Sequence, residues 1–250
     1  MNISAVVLAK NNDNTIKKTL ESLVDFEDVI VYDNGSVDET MNIAKSFANV
    51  NLVEGEFNGF GWSKNNAASY AKHDWIIIID SDEVVDIELL NILKSIKLDE
   101  NTVYKLNFKA YYKNIQVKYC GWNNQKIKRL YNKKTTNYND NDVHEDIITD
   151  NLRIEILGGN VEHYSYHSIS QFVTKADHYS TLFAKNNMGK KSSSPFKAFF
   201  NGMYSFIKTY FFKRGFLDGY VGLAISYSHM VTNFYKYLKL YELNKESEGK

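Results

Sequence analysis

The chain has 250 residues, of which 44% are hydrophobic and 24% are charged. These proportions are ordinary for a globular protein and exclude a disordered chain, and the length suits one sizeable α/β domain with an appendage. The 30 basic and 30 acidic residues cancel, and we expect no nucleic-acid partner.

Cysteine content and hydropathy bear on the cellular location. Cys120 is the single cysteine, which excludes an internal disulfide framework and fits a reducing compartment. Residues 3–8 are too short for the apolar part of a secretory signal, and the sequence has no apolar run of about 18 residues that could span a membrane. We therefore expect a cytoplasmic protein.

The first 80 residues alternate four times between β-branched runs and helical patterns. This alternation predicts a parallel, doubly wound sheet with right-handed crossovers. The predicted strands are Ile3–Leu8, Val29–Tyr32, Val50–Val53 and Ile76–Ile79, and the predicted helices pass through Ile16 to Leu23, Met41 to Phe47 and Lys64 to Ala71.

The run Ile76–Ile79 is the central feature of this pattern. Four consecutive isoleucines predict a strand that is buried on both faces. Asp80, Asp82 and Glu83 follow at the carboxyl end, where α/β sheets bind their ligands. An Asp-x-Asp pair suits Mg²⁺ or Mn²⁺, because these cations prefer oxygen ligands. The alternative is that Ser81 or Asp82 caps a helix beginning near Glu83.

The first strand-to-helix turn, Ala9–Asn14, contains no glycine, so the dinucleotide-binding motif G-x-G-x-x-G is missing. The chain also lacks the phosphate-binding motif G-x-x-x-x-G-K-[ST]. If a phosphate binds here, a metal held by Asp80 and Asp82 must neutralise it. Asp33 ends the second strand, where a carboxylate can bind a ribose or a base; the alternative is a turn or capping residue.

The remaining sequence changes character twice. Residues 101–167 are rich in aromatic residues and alternate as antiparallel strands do, so we expect a mixed, mainly parallel sheet. Residues 168–250 are helical, with a linker at 190–194 before the single proline and a frayed polar tail from residue 244. We predict a catalytic domain over residues 1–167, divided near residue 100 into donor and acceptor halves, and a helical extension over residues 168–250.

Several motifs together resemble glycosyltransferase family 2, whose members have the GT-A fold, a Rossmann-like α/β fold. Further motifs resemble those of the bacterial lipopolysaccharide core β-1,4-glucosyltransferases within that family. The first set is Ala5–Asn11, Asp33–Thr40 and Asp80–Glu83, and the second is Gly59–Gly61, Trp122–Leu130, Val143–Glu145 and Gly215–Gly219.

The resemblance implies an inverting, metal-dependent transfer of a hexose, with glucose from UDP-glucose expected, to a sugar hydroxyl of a lipid-linked oligosaccharide core. Asp82 and His163 would hold Mn²⁺ or Mg²⁺, with His167 as the alternative histidine. Glu145 would be the catalytic base that deprotonates the acceptor hydroxyl. The expected nucleotide-sugar contacts are Ala9, Lys10, Asn11, Asp33, Lys64, Asn65, Asp80 and Ser81, and the expected acceptor contacts are Trp122, Arg129 and His144.

Each of these roles has a simpler alternative. Lys64 suits an ordinary surface lysine as well as a diphosphate contact, and Trp122 suits core packing. Glu145 could be a solvated carboxylate, and the histidines could be hydrogen-bonded structural residues. For the whole protein, the alternatives are a sugar nucleotidyltransferase and a non-catalytic module that binds glycan or membrane.

The C-terminal region combines aromatic residues with basic ones. Lys185 to Lys250 contains eleven Lys/Arg against four Asp/Glu. A basic, aromatic amphipathic helix can lie on an anionic membrane surface, which would place the protein at the cytoplasmic face of a bacterial inner membrane. The alternative is a helical pair that packs on the catalytic domain or on a second subunit of a homodimer.

Overall fold

The computed structural model describes residues 1–139 and 145–248 of the chain. The chain forms two compact units. The first contains residues 1–109 and 124–164, and the second contains residues 110–123 and the chain from residue 165 onward. The division into a catalytic domain over residues 1–167 and a helical extension over residues 168–250 stays a prediction.

The first unit begins with four parallel strands. These are β1 (Ile3–Ala9), β2 (Asp28–Asp33), β3 (Val50–Glu54) and β4 (Trp75–Asp80). Their order is β3-β2-β1-β4, so β1 pairs with both β2 and β4. The connecting helices are α1 (Ile16–Glu21), α2 (Thr40–Lys45) and α3 (Phe60–Ser69). The predicted parallel, doubly wound arrangement is confirmed.

The isoleucine strand is buried on both faces, as its sequence predicted. All four isoleucines are 0% exposed. Ile77 and Ile79 lie in the core cluster that includes the buried side of α1, whereas Ile76 and Ile78 lie in the cluster that includes Ala67 of α3. Because successive strand residues point to opposite faces, an unbroken apolar run is what a two-sided core requires.

The sheet continues with strands of opposite direction. β8 (Gln125–Asn132) runs antiparallel to β4 and to β6 (Thr102–Tyr112), and β10 (Val161–Tyr166) runs antiparallel to β5 (Glu83–Val85). The sheet is therefore mixed, as expected. The other elements here are α4 (Ile87–Ser95), β7 (Ile115–Val117), which pairs with β6 after a turn at Lys113 and Asn114, and β9 (Arg153–Ile156), which runs parallel to β6.

The start of α4 decides one alternative left open by the sequence. The carboxylate of Asp86 caps this helix, with Oδ1 accepting a hydrogen bond from Leu89 N at 2.8 Å. Glu83 belongs to strand β5. The alternative that Ser81 or Asp82 caps a helix beginning near Glu83 is therefore wrong, and both side chains are available for other roles.

The second unit is mainly helical. It contains α5 (Ile169–Asn187), α6 (Pro195–Ile207), a π-helical segment (Lys208–Phe212), a 3-10 turn (Gly215–Asp218) and α7 (Gly219–Glu248). Ser168 and Ser194 cap α5 and α6 by accepting hydrogen bonds from Gln171 N and Lys197 N. Its core joins residues of α5 and α7 to residues of β6 and β7, among them Tyr112, Val117, Phe172, Val221 and Ile225.

Three boundaries differ from the sequence prediction. α3 begins at Phe60 and not at Lys64, because Gly59 has a φ of 90° and turns the chain directly into the helix. The region predicted to be helical after the linker changes from α-helical to π-helical geometry at Lys208. α7 continues to Glu248, so the tail predicted to fray from residue 244 is helical there. Within the described residues, no helix is both long and apolar enough to cross a bilayer.

Candidate active site

A cleft of about 380 Å³ opens in the first unit at the carboxyl ends of β1 and β4. Strand order reverses at β1, and such switch points leave a crevice between the loops that leave neighbouring strands in opposite directions. Of the predicted donor-binding residues, Ala9, Lys10, Asp80 and Ser81 line this cleft. The other lining residues are Leu8, Asn12, Asn34, Phe57 and Phe60.

The loops after β1 and β2 are fastened to each other beside the cleft. Asn11 N donates to Ser36 Oγ at 2.9 Å, and Asn11 Oδ1 accepts from Val37 N at 2.9 Å. Asn12 N donates to Thr40 Oγ1 at 2.7 Å. Asn11 has a φ of 53°, a left-handed conformation that Asn tolerates better than most residues. The structure therefore gives Asn11 a role in holding the cleft wall, beside its predicted donor contact.

Asp33 is 1% exposed and organises the turn after β2. Its Oδ2 accepts hydrogen bonds from Gly35 N at 2.9 Å and from Ser36 N at 2.8 Å, and its Oδ1 accepts from Ser36 Oγ. These bonds match the turn role that the sequence left as an alternative. The predicted ribose or base contact of Asp33 stays a prediction.

Arg129, on β8, binds two carboxylates at the carboxyl end of the isoleucine strand β4. Its Nη2 lies 2.7 Å from Asp80 Oδ2 and 2.7 Å from Glu83 Oε1, and its Nη1 lies 3.3 Å from Asp80 Oδ1. Glu83 Oε2 accepts a hydrogen bond from Asp80 N at 2.8 Å. Both Arg129 and Glu83 are buried, so the guanidinium compensates charge inside the protein. The predicted acceptor contact of Arg129 stays a prediction.

This cluster shifts the pKa values of Asp80 and Glu83 in opposite directions. Desolvation alone would raise the pKa of Asp80, but the charges of Arg129 and Lys64 outweigh it and hold that pKa well below its usual range. Burial raises the pKa of Glu83 to about 8, since the attraction of Arg129 does not offset burial together with the nearby charge of Asp80. Asp80 therefore presents a fixed negative charge at the cleft.

Asp82 lies next to His163, as the predicted metal pair requires. β5 and β10 pair so that His163 is opposite Glu83, and Tyr164 N donates to Asp82 O at 2.9 Å. This register leaves His163 Nε2 3.5 Å from Asp82 Oδ2. Burial by itself would lower the pKa of His163, but the hydrogen bond and charge of Asp82, with the charges of Glu83 and Asp80, raise it.

The chemistry of this pair fits a divalent cation. A carboxylate oxygen and an imidazole nitrogen are both common ligands of Mn²⁺, and among the described ion pairs Asp82 has His163 as its partner and no Lys or Arg. The part of the chain that the structure describes contains no group of three or more potential ligands. A cation held by Asp82 and His163 could complete its ligand shell with water and a bound phosphate, as Mg²⁺ usually does.

Lys64 and Glu145 form a second ion pair in the first unit. Lys64 Nζ lies 2.8 Å from Glu145 Oε1, and the two side chains are 6% and 20% exposed. Lys64 is therefore not an ordinary surface lysine. Its ammonium group also lies 4.9 Å from the centre of the Tyr138 ring. Neighbouring Asn65 exchanges two hydrogen bonds of 2.9 Å with the backbone of Tyr138, which fixes Tyr138 beside α3.

The remaining predicted site residues have diverse surroundings. Trp122 belongs to the second unit, where its indole stacks on the ring of Tyr166 with centroids 5.2 Å apart. His167 is also in that unit, and its backbone N donates to Gln171 Oε1 at 2.6 Å. His144 lies outside the described residues.

Sequence reasoning missed the aromatic wall of the cleft. The rings of Phe57 and Phe60 meet edge to face with centroids 5.0 Å apart, and both remain about half exposed. Two phenylalanines on either side of Gly59 in a loop after a parallel strand are a signal that could have identified them. Asn12 and Asn34 also line the cleft, although the sequence analysis assigned neither of them a donor contact.

Comparison with known proteins identifies the family. Residues 4–153 match the glycosyl transferase family 2 pattern. Glycosyltransferases of Rickettsia typhi and Rickettsia prowazekii, both uncharacterised, are 31% identical to this chain over 262 residues, covering 99% of this chain and 89% of each relative. The chain belongs to glycosyl transferase family 2.

A solved structure supports the same fold. S. aureus TarS, residues 1–349 in complex with UDP-GlcNAc, aligns with a TM-score of 0.50 at 14% identity, covering 100% of this chain and 92% of that one. Membership of the family makes the protein a transferase enzyme, and the structural likeness supports its GT-A fold, as the motifs indicated. This assignment favours a glycosyltransferase over the sugar nucleotidyltransferase that the sequence had left as an alternative.

Proposed function

We propose that the protein is an inverting, divalent-cation-dependent glucosyltransferase that uses UDP-glucose. Its acceptor in this proposal is a sugar hydroxyl of a lipopolysaccharide or lipooligosaccharide core. Membership of glycosyl transferase family 2 supports the reaction class. The motifs shared with lipopolysaccharide core β-1,4-glucosyltransferases support the sugar and the acceptor.

The observation that carries the proposal is the juxtaposition of Asp82 and His163 beside the cleft. Asp82 directly follows Ser81, which lines the cleft, and Asp82 Oδ2 lies 3.5 Å from His163 Nε2. A cation bound by these two side chains can therefore reach a diphosphate that is bound in the cleft. When bound, a divalent cation supplies positive charge that stabilises a leaving nucleotide diphosphate. Lys10 and the loops held by Asn11 would contact the donor from the opposite wall.

Asp80 has a different part in this proposal. Its carboxylate already binds Arg129, so we assign it to orienting the donor ribose or a cation-bound water. Arg129 and Glu83 then keep Asp80 in position, because both are buried and bonded to it. Asp82 remains the carboxylate that is available for the cation.

Glu145 is the proposed general base. It would accept the proton of the acceptor hydroxyl while that oxygen forms a bond to the anomeric carbon and the bond to the UDP phosphate oxygen breaks with its electron pair. The ion pair with Lys64 supports this role, because the ammonium group holds the carboxylate in a fixed direction. The products are UDP and a glycoside of inverted configuration.

Nucleotide release tests the donor and cation parts of the proposal. The protein is incubated with UDP-glucose, UDP-galactose or UDP-GlcNAc, with Mn²⁺ or with a chelator, and free UDP is measured. We expect cation-dependent UDP release that is fastest with UDP-glucose. Asp82→Asn should abolish it, whereas Asp74→Asn, which alters an exposed ion pair with Lys134, should not. Equal turnover in the chelator would contradict the proposal.

The base is tested separately by Glu145→Gln. Removing a general base lowers kcat by about 10²–10⁴-fold, with donor affinity retained. The matched control is Glu155→Gln, at an exposed position of β9. Transfer to a core oligosaccharide is followed by mass spectrometry, and the anomeric configuration of the product by NMR. Retained configuration, or a kcat unaffected by Glu145→Gln, would exclude this mechanism.

A further inference from the structure

Helix α6 in the second unit buries small residues and exposes large apolar ones. The residues that it buries are small, Ala198 and Gly202, and a Cβ at Gly202 would lie 3.1 Å from Phe234 Cβ of α7. Large side chains occupy the opposite side. Phe196 and Phe200 are 78% and 64% exposed. α6 thus packs on α7 through small residues and leaves its apolar face without a partner in the described structure.

The exposed apolar surface continues beyond the end of α6. Phe212 is 77% exposed at the end of the π-helical segment, and Phe211, Phe216 and Leu217 are also exposed. We call the surface formed by the exposed residues between 196 and 217 the aromatic-basic surface. Single exposed apolar residues are ordinary, but a contiguous group marks an interaction site.

The charge of this segment is entirely positive. Residues 195–217 contain Lys197, Lys208, Lys213 and Arg214 and no Asp or Glu. All four basic residues are exposed. The basic groups therefore lie beside exposed phenylalanines without acidic residues of the same segment to neutralise them.

We propose that the aromatic-basic surface binds an anionic lipid bilayer. Aromatic side chains insert at the headgroup level while the flanking basic residues contact lipid phosphates, which is the composition of helices that lie in a membrane interface. The exposed faces of Phe200 and Phe212 supply the apolar part, and Lys208 supplies charge between them. The binding needs no helix that spans the bilayer.

Charge favours a bilayer over a second copy of this chain. A two-fold dimer brings the same surface of both subunits together. Four positive charges would then face four positive charges, with no acidic residue of the segment to pair them. An anionic bilayer complements the same charges.

Vesicle co-sedimentation of the full-length protein tests the proposal without any donor or acceptor, so its outcome is independent of the proposed reaction. Vesicles of phosphatidylcholine alone are compared with vesicles that also contain phosphatidylglycerol. We expect binding to the anionic vesicles that weakens as salt is raised. Lys208→Gln should lower partitioning about fivefold, which corresponds to about 1 kcal/mol for each basic residue at the surface.

Matched variants separate the surface from general hydrophobicity. Phe200→Ser with Phe212→Ser should lower vesicle binding at least tenfold, whereas Val173→Ser, at a 66% exposed position of α5, should leave it unchanged. The charge control is Lys190→Gln, at an exposed position outside the surface. Circular dichroism confirms that each variant is folded.

Two results would overturn the proposal. One is equal binding to both kinds of vesicle, or binding that the double Phe variant does not weaken. The other is a dimer in sedimentation velocity that the double Phe variant converts to monomer, combined with no vesicle binding by the unmodified protein. That second result would assign the surface to a second copy of the chain.

Discussion

Asp80 and Asp82 differ in their partners although only one residue separates them. Asp80 lies 2.7 Å from Arg129, whereas Asp82 lies 3.5 Å from His163. The difference arises because Arg129 and His163 come from separate strands, β8 and β10. In this Asp-x-Asp pair, a buried guanidinium holds one carboxylate, whereas the other pairs with a histidine, which suits the metal role that we propose for it.

The buried charge cluster predicts a large effect on stability. Arg129→Met would remove the buried cation that Asp80 and Glu83 share, and removing one member of a buried pair costs about 3–5 kcal/mol. Denaturant unfolding of the variant should show this loss in the free energy of unfolding. Lys134→Met breaks the exposed pair with Asp74 and should cost less than about 1 kcal/mol. Equal effects of the two changes would show that Arg129 does not compensate buried charge.

His229 in the second unit predicts acid sensitivity. Burial, with the charges of Lys213 and Lys236, lowers the pKa of His229 from 6.5 to about 4. The unfolded chain therefore binds the proton first, so stability is present above pH 6.5 and falls as the pH is lowered towards 4. With allowance for partial exposure, we expect His229 to contribute about 1–3 kcal/mol to this fall.

The measurement is the free energy of unfolding at a series of pH values. His229→Asn should flatten the decline between pH 6.5 and 4 relative to the unmodified protein. His178→Asn, at an exposed position of α5, should leave the slope unchanged. The same slope in both variants would show that His229 does not titrate as its burial implies.

Strand β4 shows how an element's sequence determines its packing on two sides. Ile77 contacts the cluster that includes α1, and Ile78 contacts the cluster that includes α3. Each cluster is incomplete without the isoleucines on its face of the strand. The β-branched run therefore positions the acidic residues that follow it, because the strand end is fixed from both faces.

This packing predicts equal sensitivity on both faces. Ile77→Ala and Ile78→Ala should each lower the free energy of unfolding by about 2–5 kcal/mol, since both leave a cavity in a close-packed core. Ile87→Ala, at a 70% exposed position of α4, should change it by less than about 0.5 kcal/mol. Chemical denaturation compares the three variants. A small effect at Ile78 alone would mean that α3 packs loosely on the sheet.

Binding of the donor nucleotide should raise the stability of the whole molecule. A ligand at 100 times its dissociation constant adds about 2.7 kcal/mol to the free energy of unfolding. We expect UDP with Mn²⁺ to raise Tm in a thermal-shift assay, and a chelator to remove most of the increase. Asp82→Asn should lose the Mn²⁺-dependent part, while Asp74→Asn should retain it. An increase that is the same with and without Mn²⁺ would contradict the assigned role of Asp82.

Much of the molecule was predictable because its signals are local. The parallel start of the sheet follows from alternating β-branched and helical patterns, and the mixed continuation follows from alternating aromatic residues. Of the cleft residues, Asp80 was predicted because it follows a buried strand, where α/β folds bind ligands, whereas Ala9, Lys10 and Ser81 were implied by the resemblance to the family. Helix boundaries were less accurate, since Gly59 begins α3 through its backbone conformation.

The sequence by itself determined the fold class, the family motifs and the acidic end of β4, because each depends on residues that are close together in the chain. Only the tertiary structure decided the partners of those acids: Arg129 with Asp80, His163 with Asp82, and Lys64 with Glu145. The members of each pair are 49 or more residues apart. Strand order and register bring them together, and neither can be read from the local pattern of residues that determines each strand.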